Sequence, residues 1–386
     1  MTNTIYLDYH ATTPVDPRVL DSMLPFFGPR FGNAASGTHS YGWEAEAAVE
    51  VARKRIADLA GALAREIVFT SGATESDNLA LKGVIGASGA AHPHLVTVAT
   101  EHKAVLDTAS TLEHAGCRVT VLTPRADGLL DLDRLRDSIL PETVLVSVMY
   151  ANNEIGVIQP VREIGRICRE KNVLFHCDAV QAFGKFPVNV DADHIDLMSM
   201  SAHKMYGPKG VGALYVRRQN PRVRLTAQMD GGGHEGGMRS GTLNVPGIVG
   251  FGEACKLAAS EMGEEYARVG ELRDRLRQAL ESGLEGLRIN GSMEHRLAGN
   301  LNVSFAGVDG DALLVALPDI AVSTGSACSS QGGGSSHVLK AIGVPAAMIQ
   351  SATRFGLGRF TTREEVEFAA ERVVESVRRL REQVPV

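Results

Sequence analysis

Short β-branched, apolar runs alternate with helix-period segments over the first 216 residues, and this alternation constrains the fold more than any other feature. Runs at 66–70, 95–100, 118–122, 143–149, 173–177, 197–200 and 212–216 read as strands. Helical patterns at 45–60, 77–86, 103–115, 132–139 and 161–171 fall between or beside them. Such alternation predicts mostly parallel strands joined by crossover helices, an α/β sheet of seven strands covered on both faces. Ligands of such sheets bind at the carboxyl ends of the strands. The residues just after each strand are therefore the candidate site.

Beyond about residue 250 the pattern changes. An amphipathic helix is expected over about 248–280, with Gly263 and Gly270 as candidate breaks. Strand-like "LNVSFAG" (301–307), "TRFGLGRFT" (353–361) and a last helix at 363–381 follow. This predicts a large domain at 16–250. A smaller α+β domain would comprise 1–15 and 251–386 and carry the segment 323–337.

A formal net charge of −6 argues against a nucleic-acid surface. The apolar runs are too short to span a membrane, and the N-terminus lacks a basic region followed by an apolar stretch, so a cytoplasmic location is expected. Five cysteines form no C-x-x-C pair, which disfavours a zinc site or a disulfide framework. Cys117, Cys168, Cys177 and Cys255 lie in apolar or periodic surroundings and read as small buried hydrophobes. Cys328 differs. It sits in "STGSACSSQGGGSSH", a glycine- and serine-rich stretch that reads as flexible.

At the strand ends, "FTSGATESDN" (69–78) is a strand, a small-residue turn and a helix start. It reads equally as an anion cradle or as plain helix capping. "TEHKAV" places His102 at the next junction, where a histidine stacks on a flat ring, moves a proton, or only begins a helix. The asparagines of "YANNEIG" bind a ligand or make a turn. In "FHCDAVQAFGK", Asp178 ends an apolar strand, and a carboxylate there needs a positive partner. Gln181 follows within reach of the same ligand. "SMSAHKMYGPKG" sets Ser201, His203 and Lys204 at another strand end, where desolvation makes a lysine amine nucleophilic. An anion cradle, a ring-stacking histidine, a carboxylate for a ring nitrogen and a buried lysine together are what pyridoxal 5'-phosphate requires. No G-x-G-x-x-G follows a strand, and no Walker motif is present.

The motifs "YLDYHATTPVDPRV", "FTSGATESDNLALKG", "TEHKAVLDT", "NNEIGV", "HCDAVQAFGK", "SAHKMYGPKGVGALYVRR", "GGGHEGGMRSGT", "STGSACSS" and "RFGLGRFTT" run the length of the chain. Together they resemble the cysteine desulfurases that feed iron–sulfur cluster assembly, pyridoxal-phosphate enzymes of aminotransferase fold type I. The resemblance implies that Lys204 joins the cofactor covalently and that His102 stacks on its ring and moves protons. It implies that Asp178 pairs with the ring nitrogen and Gln181 with the ring hydroxyl. Ala73, Thr74, Ser201 and His203 would hold the phosphate. Thr242 would reach the phosphate of a neighbouring subunit, making a homodimer with shared sites. Asn153 and Arg354 would bind the carboxylate of the substrate, L-cysteine. Cys328 would take the sulfur as a persulfide and pass it to an acceptor protein, such as an iron–sulfur scaffold or a thiolation partner.

Four features depart from the pattern: His10 in place of a small or amide residue, Ala34 in place of a proline, the run Gly332–Gly334, and a short end at "REQVPV". The last two bear on the acceptor. A selenocysteine lyase or an aminotransferase of the same class would share the fold, and a non-catalytic scaffold would need none of Lys204, Asp178, His102 and Cys328.

Overall fold

A computed structural model describes residues 4–324 and 335–383. Cys328 and its neighbours at 325–334 lie outside the described residues. In chain order the strands are β1 (Ile5–Tyr6), β2 (Ile67–Thr70), β3 (His94–Val98), β4 (Arg118–Leu122), β5 (Thr143–Ser147), β6 (Leu174–Asp178) and β7 (Leu197–Ser201). β8 (Gly212–Val216), β9 (Leu287–Ile289), β10 (Asn300–Phe305), β11 (Ile320–Ala321), β12 (Ser323–Thr324) and β13 (Thr353–Gly356) follow.

The main sheet has seven strands in the order β2-β8-β7-β6-β5-β3-β4. The pairs from β7 through β4 are parallel, and β8 is antiparallel to both β7 and β2. The architecture is therefore the expected α/β sheet. Successive side chains on a strand point to opposite faces, and both faces are apolar here. Ile67, Phe69, Val96, Val98, Phe175, Met198 and Met200 enter one core, against helices Ser40–Ala60 and Val161–Glu170. Val68, Leu95, Leu145, Leu197 and Leu214 enter the other, against helices Ala73–Ala87 and Lys103–His114. Full burial of such a side chain contributes roughly 1.5–3 kcal/mol, so the register of these strands is strongly specified.

A separate core gathers Leu7, Leu301, Val303, Phe305, Phe355 and residues of the last helix, Arg363–Glu382. It lies on the four-stranded sheet β12-β13-β10-β9. The N-terminal arm docks there, through parallel β1–β11 pairing and a bridge from Asp8 to Gly356.

Helix Val245–Gly283 joins the two regions as one uninterrupted element of 39 residues. The breaks expected at Gly263 or Gly270 do not occur. A glycine costs about 1 kcal/mol relative to alanine inside a helix. Here that cost is outweighed by burial of Val245–Ala258 side chains in the first core and of Val269, Leu272, Leu276 and Leu280 in the second. The helix also begins a turn early, because the Asn244 side chain accepts from the Gly247 N–H and Pro246 suits the first turn. No helix among the described residues is long and apolar enough to cross a membrane.

Candidate active site

Five strand ends of the main sheet, the N-terminal arm and β13 converge on one cleft of about 560 Å³. At its rim, β2 runs into Ser71 and Gly72, and helix Ala73–Ala87 begins. Gly72 has φ +152°, a conformation that side-chain-bearing residues rarely adopt. Among the described residues no side chain caps this helix. Ala73 and Thr74, the first residues of the helix, line the cleft at the positive end of the helix dipole, where the first N–H groups have no intrahelical acceptor. Ser201, His203 and Lys209 line the same region. Burial holds His203 neutral, down to about 4, and its Nδ1 lies 3.1 Å from Thr12 Oγ1. An uncapped N-terminus with hydroxyl, imidazole and lysine donors fits a phosphate group.

Deeper in, β6 ends at Asp178, which is buried. Its Oδ1 accepts from the Val180 N–H at 3.0 Å. Burial raises its carboxyl above the usual range, while that N–H and the charges of His102 and Lys204 pull it down. Two further acids lie beneath. Burial, then the charge of Asp178, pushes Asp77 well up, and Asp77 sits 3.6 Å from His176, which burial lowers to about 3. Burial thus disfavours the charged form of both members of that pair. Glu101 is raised in the same way. Asp178 is thus the carboxylate of this cluster that faces the cleft, and a protonated ring nitrogen would supply the charge it needs.

His102 caps helix Lys103–His114, its Nδ1 accepting from the Ala104 N–H at 3.1 Å. That bond leaves the proton of the neutral ring on Nε2. Burial lowers its basicity, partly offset by Asp178. Lys204 follows β7. Its Nζ donates to the carbonyls of His10 and Ala11 at 2.7 Å each. Gln181 also lines the cleft and is bonded to His10.

The asparagines of "YANNEIG" divide the two readings between them. Asn152 makes the turn, with Oδ1 accepting from the Glu154 and Ile155 N–H groups and Nδ2 donating to the Thr100 carbonyl. Asn153 lines the cleft beside Arg354. Arg354 Nη1 donates to the Asn153 carbonyl at 2.9 Å and Nη2 to Asp8 Oδ1 at 2.7 Å, while its buried Nε has no partner among the described residues. A carboxylate is the natural ligand for such a donor.

The structure thus brings ten of the expected residues onto one cleft: Ala73, Thr74, His102, Asn153, Asp178, Gln181, Ser201, His203, Lys204 and Arg354. Thr242 is exposed and does not line it. Cys328 lies outside the described residues. Sequence reasoning missed Asp8, which holds Arg354 and accepts from Ser323 Oγ at 2.7 Å. It also missed Arg239, whose Nε donates to Glu75 Oε1 at 2.7 Å and steadies the helix start. Both lie within quoted motifs, but their partners are remote in sequence. Lys185, beside Gln181, was missed as well. Burial and the charge of Lys204 lower it to about 7.

The class-V aminotransferase family pattern matches residues 5–368. The chain is 60% identical to the cysteine desulfurase IscS of Anaeromyxobacter dehalogenans, over 99% of this chain and 94% of that protein. It is 55% identical to the cysteine desulfurase IscS of Mannheimia succiniciproducens, over 99% and 95%. Among solved structures, a NifS-like protein superposes with a TM-score of 0.90 at 39% identity, covering 96% of this chain and 98% of that one. SspA, solved in complex with cysteine, superposes with a TM-score of 0.82 at 38% identity, covering 93% and 100%.

Proposed function

The chain belongs to the class-V aminotransferase family, and from that membership and its full-length likeness to cysteine desulfurases we infer that it is itself a cysteine desulfurase. It uses pyridoxal 5'-phosphate to convert L-cysteine to L-alanine and retains the sulfur for iron–sulfur cluster assembly. The meeting of Lys204, Asp178 and His102 on one cleft carries the assignment of its centre.

When bound, the cofactor supplies an electron sink for the bonds at the substrate α-carbon. The chain supplies the rest. Lys204 would hold the cofactor covalently, and its free amine would move the α-proton. Asp178 keeps the ring nitrogen protonated, and its burial strengthens that pairing. His102 would stack on the ring and offers Nε2 for proton transfer. The helix N-terminus at Ala73 and Thr74 holds the phosphate, with Ser201 and His203. Asn153 and Arg354 orient the substrate carboxylate, Arg354 being itself aligned by Asp8. Cys328, as the thiolate, bonds the substrate sulfur as the carbon–sulfur bond breaks. The carbon product is protonated and leaves as alanine, and Cys328 keeps a persulfide for an acceptor protein. Two copies share their sites, with Thr242 at the partner's phosphate; its exposure suits that role. The enzyme works in the cytoplasm.

The test is production of alanine and sulfide from L-cysteine by the cofactor-loaded protein with a reductant, beside Cys328→Ala. Equal yields of both products, lost in the variant, support the reading. Unimpaired turnover by the variant would leave an enzyme of this fold that does not use the cysteine.

A further inference from the structure

His10 stands in the arm motif "YLDYHATTP", and none of the roles above uses its ring. The side chain is 2% exposed. A Cβ on Gly356 of β13 would come within 3.0 Å of the ring's Cδ2, so glycine there makes room for it. His10 Nδ1 lies 3.0 Å from Gln181 Oε1, and Nε2 lies 3.2 Å from the Gly299 carbonyl. The His10 carbonyl in turn accepts from Gln181 Nε2 at 3.0 Å. Lys185 Nζ donates to Gln181 Oε1 at 3.5 Å.

These contacts settle which way the Gln181 amide points. Turned over, its oxygen would face the His10 carbonyl, acceptor against acceptor. In the orientation that satisfies all three groups, Oε1 accepts from His10 and Lys185. Nε2 spends one N–H on the His10 carbonyl and has its second for the cleft that Gln181 lines. Because Oε1 cannot donate, the bond to it requires the proton on His10 Nδ1. Burial and the nearby cations Lys185, Arg354 and Lys204 keep the ring neutral, with a single N–H. The Gly299 carbonyl is likewise only an acceptor, so the single proton serves one of the two contacts; the shorter, to Gln181, takes it, and the approach of Nε2 to Gly299 is then a contact without a hydrogen bond.

We propose that His10 is a positioning residue, which fixes Gln181 so that an amide N–H, not the amide oxygen, faces the cofactor's ring oxygen. The inference rests on the function proposed above, in which the cofactor occupies this cleft beside Gln181. A donor at that oxygen favours its anionic form. The absorbance of the bound cofactor then titrates at lower pH than it would without the donor.

The experiment is a pH titration of that absorbance in the cofactor-loaded enzyme. Wild type is compared with His10→Phe, His10→Asn, Gln181→Ala and the double variant His10→Phe/Gln181→Ala. His10→Phe keeps ring volume and removes the donor. His10→Asn places an amide N–H near the former Nδ1 and protects the test against a misfolded His10→Phe. The expected result is a midpoint raised by roughly one pH unit, tenfold in proton affinity, in both His10→Phe and Gln181→Ala. His10→Asn should return to the wild-type midpoint, and the double variant should move no further than Gln181→Ala. An unmoved midpoint in His10→Phe, with Gln181→Ala shifted, overturns the inference and leaves the proposed function standing. Additive shifts in the double variant overturn it too, since His10 would then act independently of Gln181. A wild-type protein that takes up no cofactor would overturn both readings.

Discussion

Glu154 gives a stability prediction whose size and sign both follow from its surroundings. It is 4% exposed in the turn after β5, and its carboxyl receives a hydrogen bond from Ser336 Oγ. Ser336 Oγ also accepts from the Leu339 N–H at 3.1 Å and so caps helix His337–Ala341. Burial raises the carboxyl from its ordinary 4.5 to about 7, against the pull of the Ser336 bond and the Arg354 charge. A carboxyl raised by folding prefers its neutral form in the native state. Its contribution is therefore fully present below about pH 4.5 and is lost as pH rises through 7. At about 1.36 kcal/mol per pH unit, the loss is roughly 3 kcal/mol. Glu154→Gln keeps the acceptor for Ser336 and removes the titration. The assay is the melting temperature of both proteins from pH 5 to 8, a range of about three units spanning the transition. The variant should gain on wild type steadily as pH rises, with the difference levelling above pH 7. Two curves that stay parallel across that range would refute the reasoning. A constant offset would report only the packing of the amide.

Four further outcomes test the site. Lys204→Ala should abolish turnover, and its cofactor should be removable by dialysis as a free aldehyde, checked by absorbance before and after. His102→Gln should lower kcat by about 10²–10⁴-fold, the range expected on losing a proton-transfer group, with the cofactor still bound; steady-state alanine assays check this. Arg354→Lys should raise KM for cysteine by about tenfold or more, because one ammonium cannot replace a fork held on Asp8 and the Asn153 carbonyl. Asp8→Asn should move KM the same way by less.

The strands of the main sheet, apart from the half-exposed edge strand β4, were legible because each is a compact apolar run buried on both faces, and the structure places all seven within about two residues of where the runs lie. Helix starts were less legible. Helices Ser40–Ala60 and Ala73–Ala87 begin four or five residues before their expected starts at 45 and 77. Their first turns, "SYGW" and "ATES", carry capping and small residues rather than an apolar stripe. The uninterrupted helix through Gly263 and Gly270 shows tertiary burial overriding local propensity. In the site, rules about strand ends located Asp178, Ser201 and Lys204, because each directly follows or closes an apolar run. Asp8 and Lys185 went unread because their roles depend on the approach of Arg354 and Gln181 through the fold. His10 was visible only as a departure from a pattern. Its contacts come from residues 171 and 289 positions away.

The most direct measurement of the central claim is peptide mass mapping of the cofactor-loaded enzyme after L-cysteine, without reductant. The account predicts one added sulfur atom on the peptide bearing Cys328, alanine released in equal amount, and no added sulfur on the peptides of Cys117, Cys168, Cys177 or Cys255, which are buried. Alanine released with no sulfur on the Cys328 peptide would contradict it.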